Sequence, residues 1–393
     1  MRALVVQANP IWQVRKRRPK LERDIRTDVV VVGGGMAGVS AAYNLMKAGR
    51  EVVLIERDEL GGPATGASSG VLYYGSGTNY VPGLELFGRD RVNKLWKETG
   101  EVIREIVQTA ERNDIDCGIR TCGSIMVAKT DAEVEELEGE QAGLAALGLP
   151  TRLLSGDEVA SFFPLRAFER GLSFDEVGQV HPAQFASKLA EIMGITVYEQ
   201  TPCVGWADDK EGVTVDTPGG KLMGSAAVVA TNVEPYMKFE DNYDVESSVI
   251  LASKPTNRVK DAFPTEKIIW SMEEKYDIVY PRGDRLILEL YGLGEEESKL
   301  AYYFPGVDFQ TEHQWGEVWA KPRDWMPIVG KVSDRVAVVI GMGDQGIIMS
   351  WLSGKKMPMI MEGKGDWFSE MTSPQRFKSG EKNGGEGRLG GGA

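Results

Sequence analysis

Eleven residues, Asp28–Gly38, constrain this chain more than any others. They read DVVVVGGGMAG, and Gly33, Gly35 and Gly38 satisfy the spacing G-x-G-x-x-G. Four valines predict a buried strand, and residues 36–48 (MAGVSAAYNLMKA) predict a helix with small residues first. Gly49 stands where that helix should end, and a second strand, EVVLIE, finishes on Glu56, 23 residues after Gly33. Strand, glycine turn, helix, strand and acid in that order make a dinucleotide-binding βαβ unit. Gly33 permits the tight turn, Gly35 lets a pyrophosphate reach the backbone, and Gly38 lets the helix pack on the strand. The helix N-terminus, at Met36 and Ala37, presents N–H groups and partial positive charge to the phosphates. Glu56, followed by Arg57, can accept a ribose hydroxyl and would repel a 2′-phosphate, which argues against NADP.

The next segment separates FAD from NAD. Residues 61–72 (GGPATGASSGVL) are a second small-residue run directly after the ribose-binding strand. An NAD dehydrogenase needs no such run. A flavin enzyme does, because its chain must pass alongside the ribityl chain and the ring. Thr65, Ser68 and Ser69 offer hydroxyls, Gly66 and Gly70 offer close backbone approach, and Ala64 and Val71 complete the run.

Composition removes other chemistries. The net charge is −13, the wrong sign for a nucleic-acid binder. The only histidines, His181 and His313, are too few for a His-rich metal centre, and neither lies near a nucleophile elbow. Cys117, Cys122 and Cys203 cannot build a disulfide framework and read as reduced thiols of a cytoplasmic protein. No apolar run approaches the roughly 18 residues of a spanning helix, and the N-terminus does not read as a signal peptide.

Charge is uneven along the chain. Residues 15–26 carry seven basic and two acidic groups, leaving the rest near −18. This basic arm reads as folding back on its own acidic surface; contact with anionic lipid or an acidic partner is the alternative. Residues 92–110 and 131–147 show helical periodicity, and a Ser155-x-x-Glu158 capping box opens a third helix. Strand signals follow at 195–199, 213–217, 226–230, 246–252, 277–281, 285–290 and 336–340. The Gly-rich stretch 378–393 reads as a disordered tail.

A second glycine motif closes the pattern. In VAVVIGMGDQG (336–346), Gly341, Gly343 and Gly346 repeat the fingerprint spacing, and Glu362 lies 21 residues after Gly341. An NADH site here would make a two-nucleotide reductase. Against it, only about two helical turns fit before Gly354, and Pro358 interrupts the would-be second strand. The preferred reading is a strand leading into a helix whose N-terminus, at Asp344, Gln345, Gly346 and Ile347, faces the flavin. Its N–H groups would stabilise negative charge on the reduced ring.

The N-terminal motifs, with IER and GGPATGASSG, resemble the D-amino-acid oxidase/glycine oxidase/sarcosine oxidase superfamily of FAD-dependent oxidoreductases. Later segments fit in order over about residues 24–377. CGSIMVA (122–128) resembles the first substrate-domain strand, and GQVHPAQFASKLA (178–190) a V-x-P helix start. TPCV (201–204, with Val204) resembles the adenine-contacting strand, and AAVVATN (226–232, with Thr231) the strand returning to the FAD sheet. YDIVYPRGDRLIL (276–288) resembles the substrate-sheet hairpin, DWMPIVG (324–330) the D-G-x-P-x-x-G turn, and GDWFSEMTSPQRF (365–377) the C-terminal end.

The resemblance implies an α/β fold: a Rossmann-like FAD-binding domain of the GR2 type, interleaved with a mainly antiparallel substrate domain. The expected division is a basic arm (1–27), FAD-binding segments 28–90, 155–235 and 330–377, substrate segments 91–154 and 236–329, and the tail. It also implies oxidation of the C–N bond of an amino acid or secondary amine by hydride transfer to flavin N5, giving an imine that hydrolyses. The rivals are an NAD(P)H-dependent flavin monooxygenase or reductase, and a flavin-holding subunit of a heteromeric dehydrogenase docked through the arm. The FAD is expected to be non-covalent, since no cysteine follows Cys203 and no histidine precedes His181. A cation for a substrate carboxylate is sought among Arg282, Lys321 and Arg323, with Tyr280 as a lid. The chain departs from the family at Met342, where histidine is common, and at Asp344, where glycine oxidases carry a cation. Oligomeric state is left open.

Overall fold

The strand Ile25–Val32 runs through the middle of a nine-stranded sheet in the computed structural model of the chain. The structure describes residues 10–12, 17–232, 239–273, 275–292, 294–377 and 386–387. Ile25–Val32 pairs in parallel with Val52–Ile55 and with Gly220–Val229. Thr196–Tyr198 extends the parallel set on one side, and Val336–Ile340 on the other. The valine run is apolar at every position because both faces are covered. Val29 and Val31 enter one core and Val30 and Val32 the other, as the two-residue period of a strand requires.

The helix Met36–Lys47 covers one face and packs along the late helix Gly346–Met361. The contact is close at Gly354, where an added Cβ would stand 2.2 Å from Ser40 Oγ and 2.5 Å from the Ser40 carbonyl carbon. Gly354→Val should therefore cost about 3 kcal/mol or more, as an overpacked core site whose neighbour is backbone. A thermal melt showing no loss would contradict this packing.

The sequence allowed the late helix about two turns, but it runs sixteen residues, straight through Pro358. Proline forfeits only its own N–H there, and the Pro358 carbonyl still accepts the Glu362 N–H at 3.2 Å. No strand follows. The second glycine motif thus lies on a strand–turn–helix without the second strand of a dinucleotide unit.

The second sheet has eight strands, in the order Thr311–Pro322, Tyr243–Ser253, Arg285–Tyr291, Asp277–Arg282, Ile268–Ser271, Ser124–Ala128, Arg170–Phe174 and Thr151–Ser155. Every pairing is antiparallel except Ile268–Ser271 with Ser124–Ala128. Side-chain parity splits it. Val249, Leu251, Val279, Leu286, Leu288 and Leu290 face one satellite core, while Ile250, Ile278, Tyr280, Ile287 and Trp315 face the nucleotide sheet.

Three expectations are corrected here. Residues 155–174, expected with the nucleotide sheet, belong largely to the second sheet, because Arg170–Phe174 pairs with strands on both its edges. The first strand begins at Ile25, inside the expected arm. Residues 201–204 form no strand, and Pro202 has no N–H to give a ladder. Most of the expected tail, and residues 1–9 and 13–16 of the arm, lie outside the described residues. Glu386–Gly387 pairs with Trp206 and Ala207. Among the described residues, no helix is long and apolar enough to cross a membrane.

Candidate functional site

The parallel strands end at a cleft of about 540 Å³, large enough for an extended cofactor. Its floor is the fingerprint turn. At Gly33, with φ +108°, an added Cβ would meet the Ala230 carbonyl oxygen at 2.3 Å. At Gly38 it would meet the Gly33 carbonyl oxygen at 1.8 Å. These two glycines exist for chain packing. Gly35 differs, because an added Cβ would meet only Thr65 Oγ1, at 3.2 Å, and would stand in the cleft.

Met36 and Ala37 line the cleft at the helix N-terminus, with the Met36 N–H held by Thr65 Oγ1 at 2.9 Å. Glu56 closes the turn from the next strand. Its Oε2 accepts the Gly34 N–H at 2.6 Å and its Oε1 the Asp58 N–H at 2.9 Å. Burial raises its carboxyl against the pull of these two hydrogen bonds. Arg57, Ala64, Ser68, Val204, Thr231, Gly343, Gly346 and Ile347 also line the cleft.

Segment 61–72 is not extended throughout: Pro63–Ala67 is a short helix and Val71–Leu72 a short strand. Three aromatic donors pin its turn. Trp315 Nε1 donates to the Ala67 carbonyl at 2.8 Å, Trp12 Nε1 to that of Ser68 at 2.8 Å, and the Tyr280 hydroxyl to that of Ser69 at 3.0 Å. Tyr280 is thus a buried anchor of this segment. Gly70 packs against the Val180 carbonyl and Gly341 against the Pro322 ring, so both act through packing.

A second, smaller cavity of about 30 Å³ adjoins the cleft, sharing Ser68, Glu317, Trp319 and Ile347. Ser69, Val71, Asp344 and Gln345, expected at the cofactor, line this one. Its walls also carry Tyr73, Trp270, Tyr276 and Glu289. Burial raises the carboxyls of Glu289, Glu317 and Asp344, and repulsion adds to it at Glu289 and Glu317, while Tyr276 and Lys321 pull Asp344 back. Asp344 accepts the Tyr276 hydroxyl at 3.0 Å, and Glu289 Oε1 accepts the Ser248 hydroxyl at 3.1 Å.

None of the expected cations lines either cavity. Arg282 donates to Gln179 Oε1 at 3.1 Å and lies 5.0 Å from the Trp12 ring centre. Lys321 sits 3.6 Å over the ring of Trp325, which occupies the glycine position of the D-G-x-P pattern at φ +62°. Arg323 is exposed beside Asp244. His181 caps a helix, its Nδ1 accepting the Gln184 N–H at 3.1 Å, and burial lowers it to about 4.

Sequence reasoning missed Glu289, Glu317, Trp270 and Tyr73. The missed signal was parity: in RLILELY, Glu289 shares a face with Ile287 and Tyr291, opposite the leucines that build the satellite core.

Residues 28–357 match the family model described as DAO, FAD dependent oxidoreductase. The chain belongs to this DAO family. It is 24% identical over 366 residues to glycine oxidase of Geobacillus kaustophilus, covering 86% of this chain and 94% of that one. It is 24% identical to gamma-glutamylputrescine oxidoreductase of Escherichia coli, covering 90% and 88%. The crystal structure of the Geobacillus glycine oxidase superposes with a TM-score of 0.75 at 20% identity, over 90% of this chain and all of that one.

The cleft of this DAO-family chain fits FAD by its own atoms. Thr231 Oγ1 and Trp319 Nε1 are buried on its wall without a hydrogen-bond partner, and Gly35 leaves the turn open.

Proposed function

We propose that the protein oxidises the C–N bond of an amine or amino acid, using FAD held without a covalent link. The observation that carries this reading is the meeting of the two cavities, a dinucleotide-sized cleft adjoining a small chamber at Ser68, Glu317, Trp319 and Ile347. Bound FAD supplies the two-electron acceptor that no side chain provides.

The chain's own residues bind, orient and exclude water. Glu56 receives the ribose, the N-terminus of Met36–Lys47 receives the pyrophosphate, and the late helix directs its N-terminus at the junction through Gly346 and Ile347. Trp270, Tyr276 and Trp319 wall the chamber with apolar surface. A non-covalent cofactor is supported by the cysteines. Cys203 lines the cleft, but burial pushes its thiol up to about 11, leaving little thiolate to attack.

The test is anaerobic. The yellow protein is mixed with a panel of amino acids, N-methyl amino acids and alkylamines, and its visible spectrum is followed. Bleaching by one compound, with none by NADH alone, is the expected result. A colourless protein that refuses added FAD, or rapid bleaching by NADH, would overturn the reading.

A further inference from the structure

We infer that the chamber is a cage for the ammonium head of a cationic alkylamine carrying no carboxylate beside its nitrogen, held between Glu289, Glu317 and Asp344 and the faces of Tyr73, Trp270, Tyr276 and Trp319. The inference deepens the proposed C–N oxidation and rests on it.

The charges decide the class. Three acids line one small chamber, and among the described residues lining it there is no Lys, Arg or His. An amino acid would bring its own carboxylate into that field with no cation to receive it. Lys321 acts on Asp344 but is seated on Trp325. Arg282 is held by Gln179 and stacked on Trp12. Ser124 Oγ and Trp270 Nε1 are buried here without partners, but both are neutral donors and offset no charge.

A vacant acceptor points to the ligand independently. Glu289 is 5% exposed, yet its Oε2 has no hydrogen bond of normal geometry, although Ser69 lies close enough to steady the carboxyl. A buried carboxylate oxygen without a donor costs free energy, and a substrate ammonium supplies the donor. The aromatic walls add cation–π attraction, which strengthens where water is excluded.

Strand geometry builds the cage. Ile250 pairs with Glu289 on one neighbouring strand and Trp315 on the other, while Ser248 pairs with Tyr291 and Glu317. Directly paired residues share a face, so Glu289 and Glu317 converge on one side of the sheet, across the strand Tyr243–Ser253. Asp344 arrives from the opposite sheet, at the turn before the late helix. Burial holds all three carboxyls above their usual range, with repulsion adding to it at Glu289 and Glu317, which narrows the gap across which an arriving ammonium would pass its proton.

The experiment uses FAD-loaded protein pre-reduced with dithionite under argon, so that no turnover occurs. Calorimetric titration with N-methylbutylamine and 1,4-diaminobutane is compared with sarcosine, glycine and D-alanine. Both amines should bind, and the amino acids at least about tenfold more weakly. Glu289→Gln and Glu317→Gln should each weaken the amines about tenfold or more, with FAD content and melting temperature kept. Amino acids binding as tightly as the amines, or both variants leaving amine affinity unchanged, would overturn the cage. Amine binding without bleaching of the oxidised protein would sink the C–N oxidation and leave the cage. Bleaching by an amino acid with no amine binding would do the reverse.

Discussion

Arg18→Ala should cost the fold about 3–5 kcal/mol, because it strands a buried carboxylate. Arg18 reaches inward from the basic arm. Its Nη1 pairs with Glu199 Oε1 at 3.0 Å, and its Nη2 donates to the carbonyl and hydroxyl oxygens of Ser187, both at 2.9 Å. Its backbone N–H donates to Glu199 Oε2 at 2.8 Å. Glu199 also receives the Leu60 N–H at 2.9 Å and is only 2% exposed. The alanine variant keeps both backbone donors and loses the one cation paired with Glu199 among the described residues. A denaturant melt should show the loss, and added salt should not reproduce it, since the wild-type pair is shielded from screening. Glu199→Gln combined with Arg18→Ala should cost less than the two single losses together, because the stranded charge is gone. A loss under about 1 kcal/mol would mean that the arm merely lies on the surface.

That arm shows where the sequence was readable and where it was not. Its net charge was plain, but charge does not tell which arginine is buried, since the acid that selects Arg18 lies 181 residues away. The fingerprint was legible because strand, turn, helix and second strand are contiguous and each glycine answers to a neighbour in the same motif. The late helix was misjudged because Gly354 and Pro358 usually break helices. Here Gly354 is required by Ser40 across the helix pair, a contact 314 residues away in sequence. The acids were hidden for a similar reason. Glu289 alternates with leucines, which reads as an outward polar face until a second sheet covers that face too. The search for a cation near 282 and 321–323 followed the resemblance, whereas Trp12 and Trp325 hold those side chains elsewhere.

Gly35→Val and Gly38→Val should fail in opposite ways, although the two glycines share one motif. At Gly35 the added side chain meets no protein atom nearer than Thr65 Oγ1 at 3.2 Å, a hydroxyl able to shift. The chain should fold, with the melting temperature of the FAD-free wild type. The valine would occupy the cleft where the phosphates must approach the backbone, so FAD affinity should fall about 100-fold or more, roughly 3 kcal/mol. At Gly38 the first added carbon lies 1.8 Å from the Gly33 carbonyl oxygen, a backbone atom of the turn itself. The helix would have to leave the strand, exposing Val39, Ala41 and Ala42 from the core. Gly38→Val should therefore lose folded protein before FAD binding can be measured. Circular dichroism separates the two outcomes, and the ratio of flavin to protein absorbance reads the first. A folded Gly35→Val protein that keeps its yellow colour through dialysis would mean that the phosphates lie away from the fingerprint turn, and the assignment of the cleft would fall with it.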